Sequence, residues 1–153
     1  MATNNNTDAF KGTWDFVDGD DSEEYLKELG VGKMGRMMAK TVKPRLVISE
    51  NGGKWAVRTE TTLKTTTIDF TPNVEYEEVT GDGRHLKGSI RFENSKWIQK
   101  MHDKNGKENV TTRWVDEKDQ LQTVTYFLNF LMNRLIYLYF YFLGFRMWKS
   151  ESS

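Results

Sequence analysis

The chain contains no cysteine, two prolines and two histidines in 153 residues. The missing thiols exclude a disulfide scaffold and any thiolate metal site, and they suit a reducing compartment without demanding one. His85 and His102 stand far apart, with no HxH or HxxxH spacing and no adjoining serine or cysteine motif, so both read as strand or surface residues. Lysine plus arginine and aspartate plus glutamate each number 22, a formal net charge of zero. No basic field is offered to nucleic acid, and no nucleic-acid partner is expected. The opening MATNNNTDAF has neither a charged n-region nor an apolar stretch, so no secretory leader is expected. The adjacent acids Glu23-Glu24 and Glu77-Glu78 read as solvated. No nucleophile, base and orienting group assemble from the sequence, so neither catalysis, a metal nor a cofactor is expected.

What the chain does have is aromatic mass, with nine Phe, six Tyr and five Trp, and length enough for one domain with a buried core. Gly12 to Asp18, GTWDFVD, alternates as a strand, with Trp14 and Phe16 on one face. Ser22 to Leu29 reads as a short helix, capped by Asp21 or Ser22, with acids in its first turn and Gly30 beyond its end. A second helix is expected from Gly32 to Thr41, with Met34, Met37 and Met38 on a packing side and Lys33, Arg36 and Lys40 on the other. Lys43-Pro44 ends it. Gly30 to Gly35 matches GxGxxG by letter. A dinucleotide fingerprint must follow a strand and open a helix, so the stretch reads as a helix-helix turn.

After Pro44 the period becomes two. Strand-like runs follow at Arg45 to Ser49, Lys54 to Thr61, Leu63 to Phe70, Val74 to Thr80, His85 to Phe92, Lys96 to His102, Val110 to Val115 and Gln120 to Tyr126. Turn residues such as Asn51-Gly52-Gly53, Asn94-Ser95 and Asn105-Gly106 separate them at hairpin spacing, which implies an antiparallel meander closing as a barrel or sandwich. From Phe127 the composition turns abruptly to Phe, Leu, Tyr and Asn. Its length suits a membrane anchor, but Asn129, Asn133, Arg134 and Arg146 interrupt it. Leu135 to Leu143 reads as a final strand or as part of a disordered, aggregation-prone tail, either in preference to an anchor. The break suggests an ending drawn from a retained intron or alternative exon.

Glu108 to Val115, ENVTTRWV, holds the residue of most interest. Alternation groups Thr111, Arg113 and Val115 on one face and Val110, Thr112 and Trp114 on the other. Burying Val110 and Trp114 would send Arg113 to solvent. Facing a cavity, Arg113 would hold a ligand carboxylate with its planar fork, and the stretch alone leaves both orientations open.

DAFKGTWDFV at Asp8 to Val17, EEYLKELGVG at Glu23 to Gly32, VKP at Val42 to Pro44, VEYEE at Val74 to Glu78, Asp82-Gly83-Arg84 and TTRWV together resemble the intracellular fatty-acid-binding proteins. The resemblance spans about residues 8 to 126. It implies an all-β fold, a ten-stranded antiparallel up-and-down barrel of the calycin or lipocalin type, with a helix-turn-helix lid at residues 22–41 and an atypical apolar tail at 127–153. It also implies a cytoplasmic, monomeric, non-enzymatic carrier of long-chain fatty acids or related lipids, meeting membranes transiently through the lid. Arg113 falls on the family's inward arginine, which favours an acidic ligand over an alcohol. Cavity and portal positions fall on Phe16 of the first strand, on Tyr25, Leu26, Gly35, Met38 and Ala39 of the lid, and on Leu63, Lys64 and Asp82. Thr111, Val115, Gln122 and Val124 complete them. Ser22 replaces a usual portal phenylalanine. The family's last strand carries Arg-x-Tyr; counting forward puts those positions at Asn133 and Leu135, so the pair is expected to be missing and binding to be weak. The alternative is a membrane-associated or poorly folded isoform governed by the tail.

Overall fold

The alternating segments do pair as one antiparallel sheet. In this computed structural model, residues 5–19, 23–28, 30–41, 43–62, 64–80, 83–131, 134–137 and 143–150 are described. The strands are β1 (Gly12–Gly19), β2 (Arg45–Asn51), β3 (Lys54–Glu60), β4 (Thr65–Phe70), β5 (Tyr76–Val79) and β6 (His85–Glu93). They continue with β7 (Lys96–Asp103), β8 (Glu108–Val115), β9 (Gln120–Leu131), β10 (Arg134–Tyr137) and β11 (Leu143–Lys149). Helices α1 (Glu23–Glu28) and α2 (Lys33–Thr41) lie between β1 and β2. The sheet runs β4-β3-β2-β1-β11-β9-β8-β7-β6-β5, with β10 attached only to β9. Ten strands therefore form a nearly closed barrel whose end strands, β4 and β5, flank a cleft of about 590 Å³ lined by Thr66, Ile68, Glu78 and Thr80 among others.

Turn chemistry sets the register. Gly52 and Gly53 have φ of 61° and 86°, and Asn94 and Ser95 have φ of 52° and 61°. Two successive positive φ values make the hairpin twist that right-twisted strands need, and glycine and asparagine supply it at low cost. Both turns, with the turn at residues 116–119, lie at the end of the barrel opposite the helices.

That end is filled by aromatics. Phe10, Trp14, Leu46, Ile48, Trp55, Phe70, Trp97, Leu121 and Met147 are each at most 5% exposed and form one cluster with Phe16, Phe92 and Val115 packed against it. Trp97 meets Phe10, Trp55, Phe70 and Phe92 edge-on with ring centroids 5.2–6.2 Å apart. The preceding 3₁₀ turn Asp8–Phe10 holds the plug through the Trp14 indole N–H, which donates to the Phe10 carbonyl at 2.9 Å. Such rings bury 150–250 Å² each, so an aromatic floor carries much of the hydrophobic stabilisation.

The C-terminal segment departs from the sequence reading. β9 runs unbroken from Gln120 to Leu131, so the composition break at Tyr126 is no break in the fold. The strand expected at Leu135 to Leu143 is not formed as such. Arg134–Tyr137 pairs with β9 outside the barrel path, and residues 138–142 lie outside the described residues. The strand that completes the barrel is Leu143–Lys149, hydrogen-bonded to β1 on one side and β9 on the other. Composition marked an apolar excursion, but ladder hydrogen bonds decide which residues return to the sheet.

Gly88 on β6 permits a close approach, since a Cβ there would collide with the Lys100 carbonyl oxygen and the Met101 sulfur of β7. Gly88→Ala should lower unfolding free energy by about 1–3 kcal/mol, the usual cost of overpacking. Urea denaturation of the two proteins measures the difference.

Candidate functional site

Directly paired residues of an antiparallel sheet share a face, so the ladder registers assign the interior. Trp97, Arg113 and Thr123 stand opposite one another on β7, β8 and β9. Gln99, Thr111 and Thr125 form the next row, and Val115, Leu121 and Met147 the row nearer the floor. Leu121, Thr123 and Met147 are at most 1% exposed, which makes this the inner face. Arg113 therefore points into the barrel, just above the aromatic floor.

Arg113 Nη1 donates to Thr123 Oγ1 at 2.9 Å, and its guanidinium carbon lies 6.0 Å from the centre of the Trp97 ring. A cation over a desolvated indole face is held by the ring quadrupole. Burial lowers the Arg113 pKa to about 10, against the opposing influence of Tyr76 and Glu78. The group stays cationic at neutral pH. Arg113 retains accessible surface although it is strongly desolvated, so that surface faces the barrel interior.

The wall continuing from β7 to β5 is polar as well. The Tyr76 hydroxyl donates to Glu78 Oε2 at 3.2 Å and accepts from Gln99 Nε2 at 3.1 Å. Burial raises the Glu78 carboxyl above the usual carboxylate range, while the Tyr76 hydrogen bond and the Arg113 charge pull it back. Burial, with the Glu78 charge, also pushes the Tyr76 phenol up. The Thr111 and Thr125 hydroxyls are 2.9 Å apart. A belt of hydroxyls, an amide, one carboxylate and one guanidinium thus encircles the space above an apolar floor.

The sequence-predicted residues divide accordingly. Phe16 packs against the floor opposite Met147, Val115 stands opposite Leu121, and Thr111 joins the belt. Gln122 and Val124 were expected inside and are not. They alternate with the buried Leu121, Thr123 and Thr125, and Gln122 Nε2 instead donates to Asp116 Oδ2 at 2.8 Å on the outer face. Leu26 is half-buried on α1, and Lys64 is exposed in the β3–β4 turn, where its carbonyl accepts from the Thr61 hydroxyl at 2.8 Å. The backbones of Tyr25, Met38 and Ala39 are helical, but their side chains, together with Leu63, Asp82 and the capping residues Asp21 and Ser22, lie outside the described residues. Glu78 corrects the reading of Glu77-Glu78 as a solvated pair. Glu77 is exposed and pairs with Lys87 at 3.1 Å, whereas its neighbour turns inward. Tyr76, Glu78, Gln99 and Thr123 were missed, and for the first two the signal existed: alternation puts Tyr76 and Glu78 on one face, so an inward tyrosine carries the glutamate with it.

The helix pair is tied together locally. The Gly30 N–H donates to Lys27 at 3.0 Å and the Val31 N–H to Leu26 at 2.9 Å, while Gly30 has φ of 81°. This paired closure is the glycine-ended helix cap, which explains the GxGxxG letters without a nucleotide. Glu23 Oε1 binds Arg36 Nε at 3.0 Å and Oε2 binds Lys40 Nζ at 3.1 Å, and these cations hold the Glu23 carboxyl below the usual range. The expected basic and packing sides of α2 are therefore altered. Arg36 turns to Glu23 and the Val31 carbonyl, while Met34 and Met37 are 79% and 60% exposed beside the exposed Lys33.

On β11 the spacing Arg146-Met147-Trp148 reproduces Arg-x-aromatic, which sequence counting had sought at Asn133 and Leu135. Asn133 lies outside the described residues and Leu135 belongs to β10. Met147 is the inward residue of the three. Arg146 forms a bidentate pair with Asp18 at 2.6 and 2.7 Å on the outer face, and Trp148 is 47% exposed.

The described residues thus make a ten-stranded barrel with a helix pair after its first strand and an inward arginine above an aromatic floor. The sequence profile of the lipocalin / cytosolic fatty-acid binding protein family matches residues 11–136. The chain belongs to this family. Fatty acid-binding protein homolog 5 of Caenorhabditis elegans is 40% identical over 117 residues, covering 75% of this chain and 86% of the relative. Human fatty acid-binding protein 9 is 38% identical over 109 residues, 71% and 83% of the two chains. The crystal structure of Echinococcus granulosus fatty-acid-binding protein 1 superposes with a TM-score of 0.80 at 27% identity, over 93% of this chain and 98% of that one. The profile match stops short of β11, so the barrel's closing strand in this family member is assigned by the fold.

Thr123→Val keeps the shape of the wall but removes the acceptor for Arg113 Nη1. A hydrogen bond to a buried charged group contributes about 1.5–3 kcal/mol, and unfolding free energy should drop by that order in chemical denaturation of the ligand-free protein.

Proposed function

We propose that this protein is a reversible intracellular carrier of long-chain fatty acids or related hydrophobic carboxylates, acting as a single chain without catalysing their conversion. The acyl chain lies in the barrel interior and the carboxylate rests on Arg113. The observation that carries this reading is the inward, desolvated guanidinium above an apolar floor. A cation in that setting gains most from an anionic partner that also brings its own apolar surface. Thr123 and the Thr111–Thr125 hydroxyl pair stand in the adjoining rows to share the carboxylate oxygens, directly or through water. Two of the relatives above are themselves named for fatty-acid binding. Because Arg146 is committed to Asp18 outside the barrel, Arg113 holds the carboxylate without it, and affinity is modest.

The exposed Met34 and Met37 with Lys33 give α2 an apolar and cationic surface suited to touching an anionic lipid surface during ligand exchange. Among the described residues no helix is long and apolar enough to cross a membrane.

Calorimetric titration with oleate should show Arg113→Gln binding roughly ten- to hundredfold more weakly than the parent, from loss of a charge-assisted hydrogen bond, while oleyl alcohol affinity stays within about twofold. Equal oleate affinity in the two proteins would remove Arg113 from the role. For the lid, Lys33→Glu combined with Met34→Ser and Met37→Ser should slow transfer of a fluorescent fatty acid to phosphatidylserine-containing vesicles about fivefold or more, on the scale of one lysine at an anionic surface. Affinity in the absence of vesicles should hold.

A further inference from the structure

We propose that Glu78 couples ligand binding to protonation: a carboxylate that settles on Arg113 drives one proton from solvent onto the Glu78 carboxylate. The inference rests on the reading of the barrel as a carboxylate carrier and adds to it the charge state of the occupied cavity. Among the described residues, the inner wall within reach of Arg113 carries the carboxylate of Glu78, and a second carboxylate, Asp103, stands in the row of Glu78 at the β7–β8 turn, held by its own turn's N–H groups. In the ligand-free protein the charges of Arg113 and Glu78 balance. A bound carboxylate adds a second anion to a low-dielectric interior, and two carboxylates served by one guanidinium do not both remain ionised. The ligand takes the direct contact with the planar fork. Among the described residues the side-chain partner of Glu78 is the neutral Tyr76 hydroxyl at 3.2 Å, so Glu78 is the group that accepts the proton.

The surroundings leave Glu78 few other ways to balance its charge. On its own strand Tyr76 is neutral and Glu77 faces outward to Lys87. On β6 its direct partner is Leu86, while His85 and Lys87 turn to the outer face. Asp103 of β7 shares the same row two strands away, roughly 10 Å at ordinary strand spacing, and its Oδ1 accepts the N–H groups of Asn105 and Lys107 in its own turn. On β4 the facing residues are Thr66 and Ile68, and Asp69 points outward. Desolvation already favours the neutral form of Glu78 before ligand arrives, so the added anion completes a displacement that the fold begins.

Calorimetry of oleate binding in phosphate and in Tris, between pH 5 and 9, measures the protons exchanged. The parent should take up as much as one proton per oleate, with affinity falling up to tenfold per pH unit across the window of uptake. Oleyl alcohol should exchange none. Glu78→Gln should abolish the uptake and flatten the pH profile, and Tyr76→Phe, which removes the bond favouring the ionised form, should keep the uptake but move its window to higher pH. Equal uptake in the parent and Glu78→Gln, or none in the parent at any pH, overturns the proposal while leaving the carrier reading intact. Failure of oleate to bind any of the proteins overturns both.

Discussion

A guanidinium enclosed by a barrel wall is the constraint on which the rest of this structure turns. Taking a cation out of water is costly, and it is tolerated only where fixed partners replace the lost solvation. Trp97 lies beneath Arg113, Thr123 accepts from it, and Tyr76 with Glu78 supplies negative potential from β5, three strands away. Each of these sits where it does because ladder pairing places residues of neighbouring strands on one face. The polar belt is therefore a product of register, and a slip of one residue in β8 or β9 would export it to solvent.

The same economy governs the two ends of the barrel. At one, interlocking aromatic rings fill the volume beneath Arg113. At the other, the helix pair is stabilised by its own glycine cap and by Glu23, which engages Arg36 and Lys40 at once. Two of the three basic residues of α2, Arg36 and Lys40, are thus occupied within the helix pair, while Met34 and Met37 are exposed beside Lys33. Closure between the first and last strands rests on an ordinary ladder plus the outer pair of Arg146 and Asp18, which at a solvent-exposed site adds little energy and mainly fixes geometry.

Much of this was legible in the chain. The period-two runs from Arg45 to Val115, the two-residue turns at Gly52-Gly53 and Asn94-Ser95, the glycine-ended helix and the grouping of Thr111, Arg113 and Val115 all follow from local stereochemistry, which needs no distant partner. The similarity of GTW, YLKELGVG and TTRWV to one family then named the fold. The misplaced residues share a cause. Gln122 and Val124 were sent inside by carrying the family's cavity positions onto this chain, and Glu78 outside as one of an adjacent acid pair; alternation divides a strand into two faces without saying which is the inner one.

Sequence by itself determined the strand pattern, the helix pair and the presence of an arginine on a face with Thr111 and Val115. Resemblance pointed this face inward; tertiary structure alone decided that Leu143–Lys149 rather than residues 135–143 closes the barrel, and that Arg146 turns outward to Asp18. Local sequence records which conformations a segment prefers. Closing a barrel is a condition on all its strands together, and only when β11 joins β1 to β9 does one side of every strand become the inside.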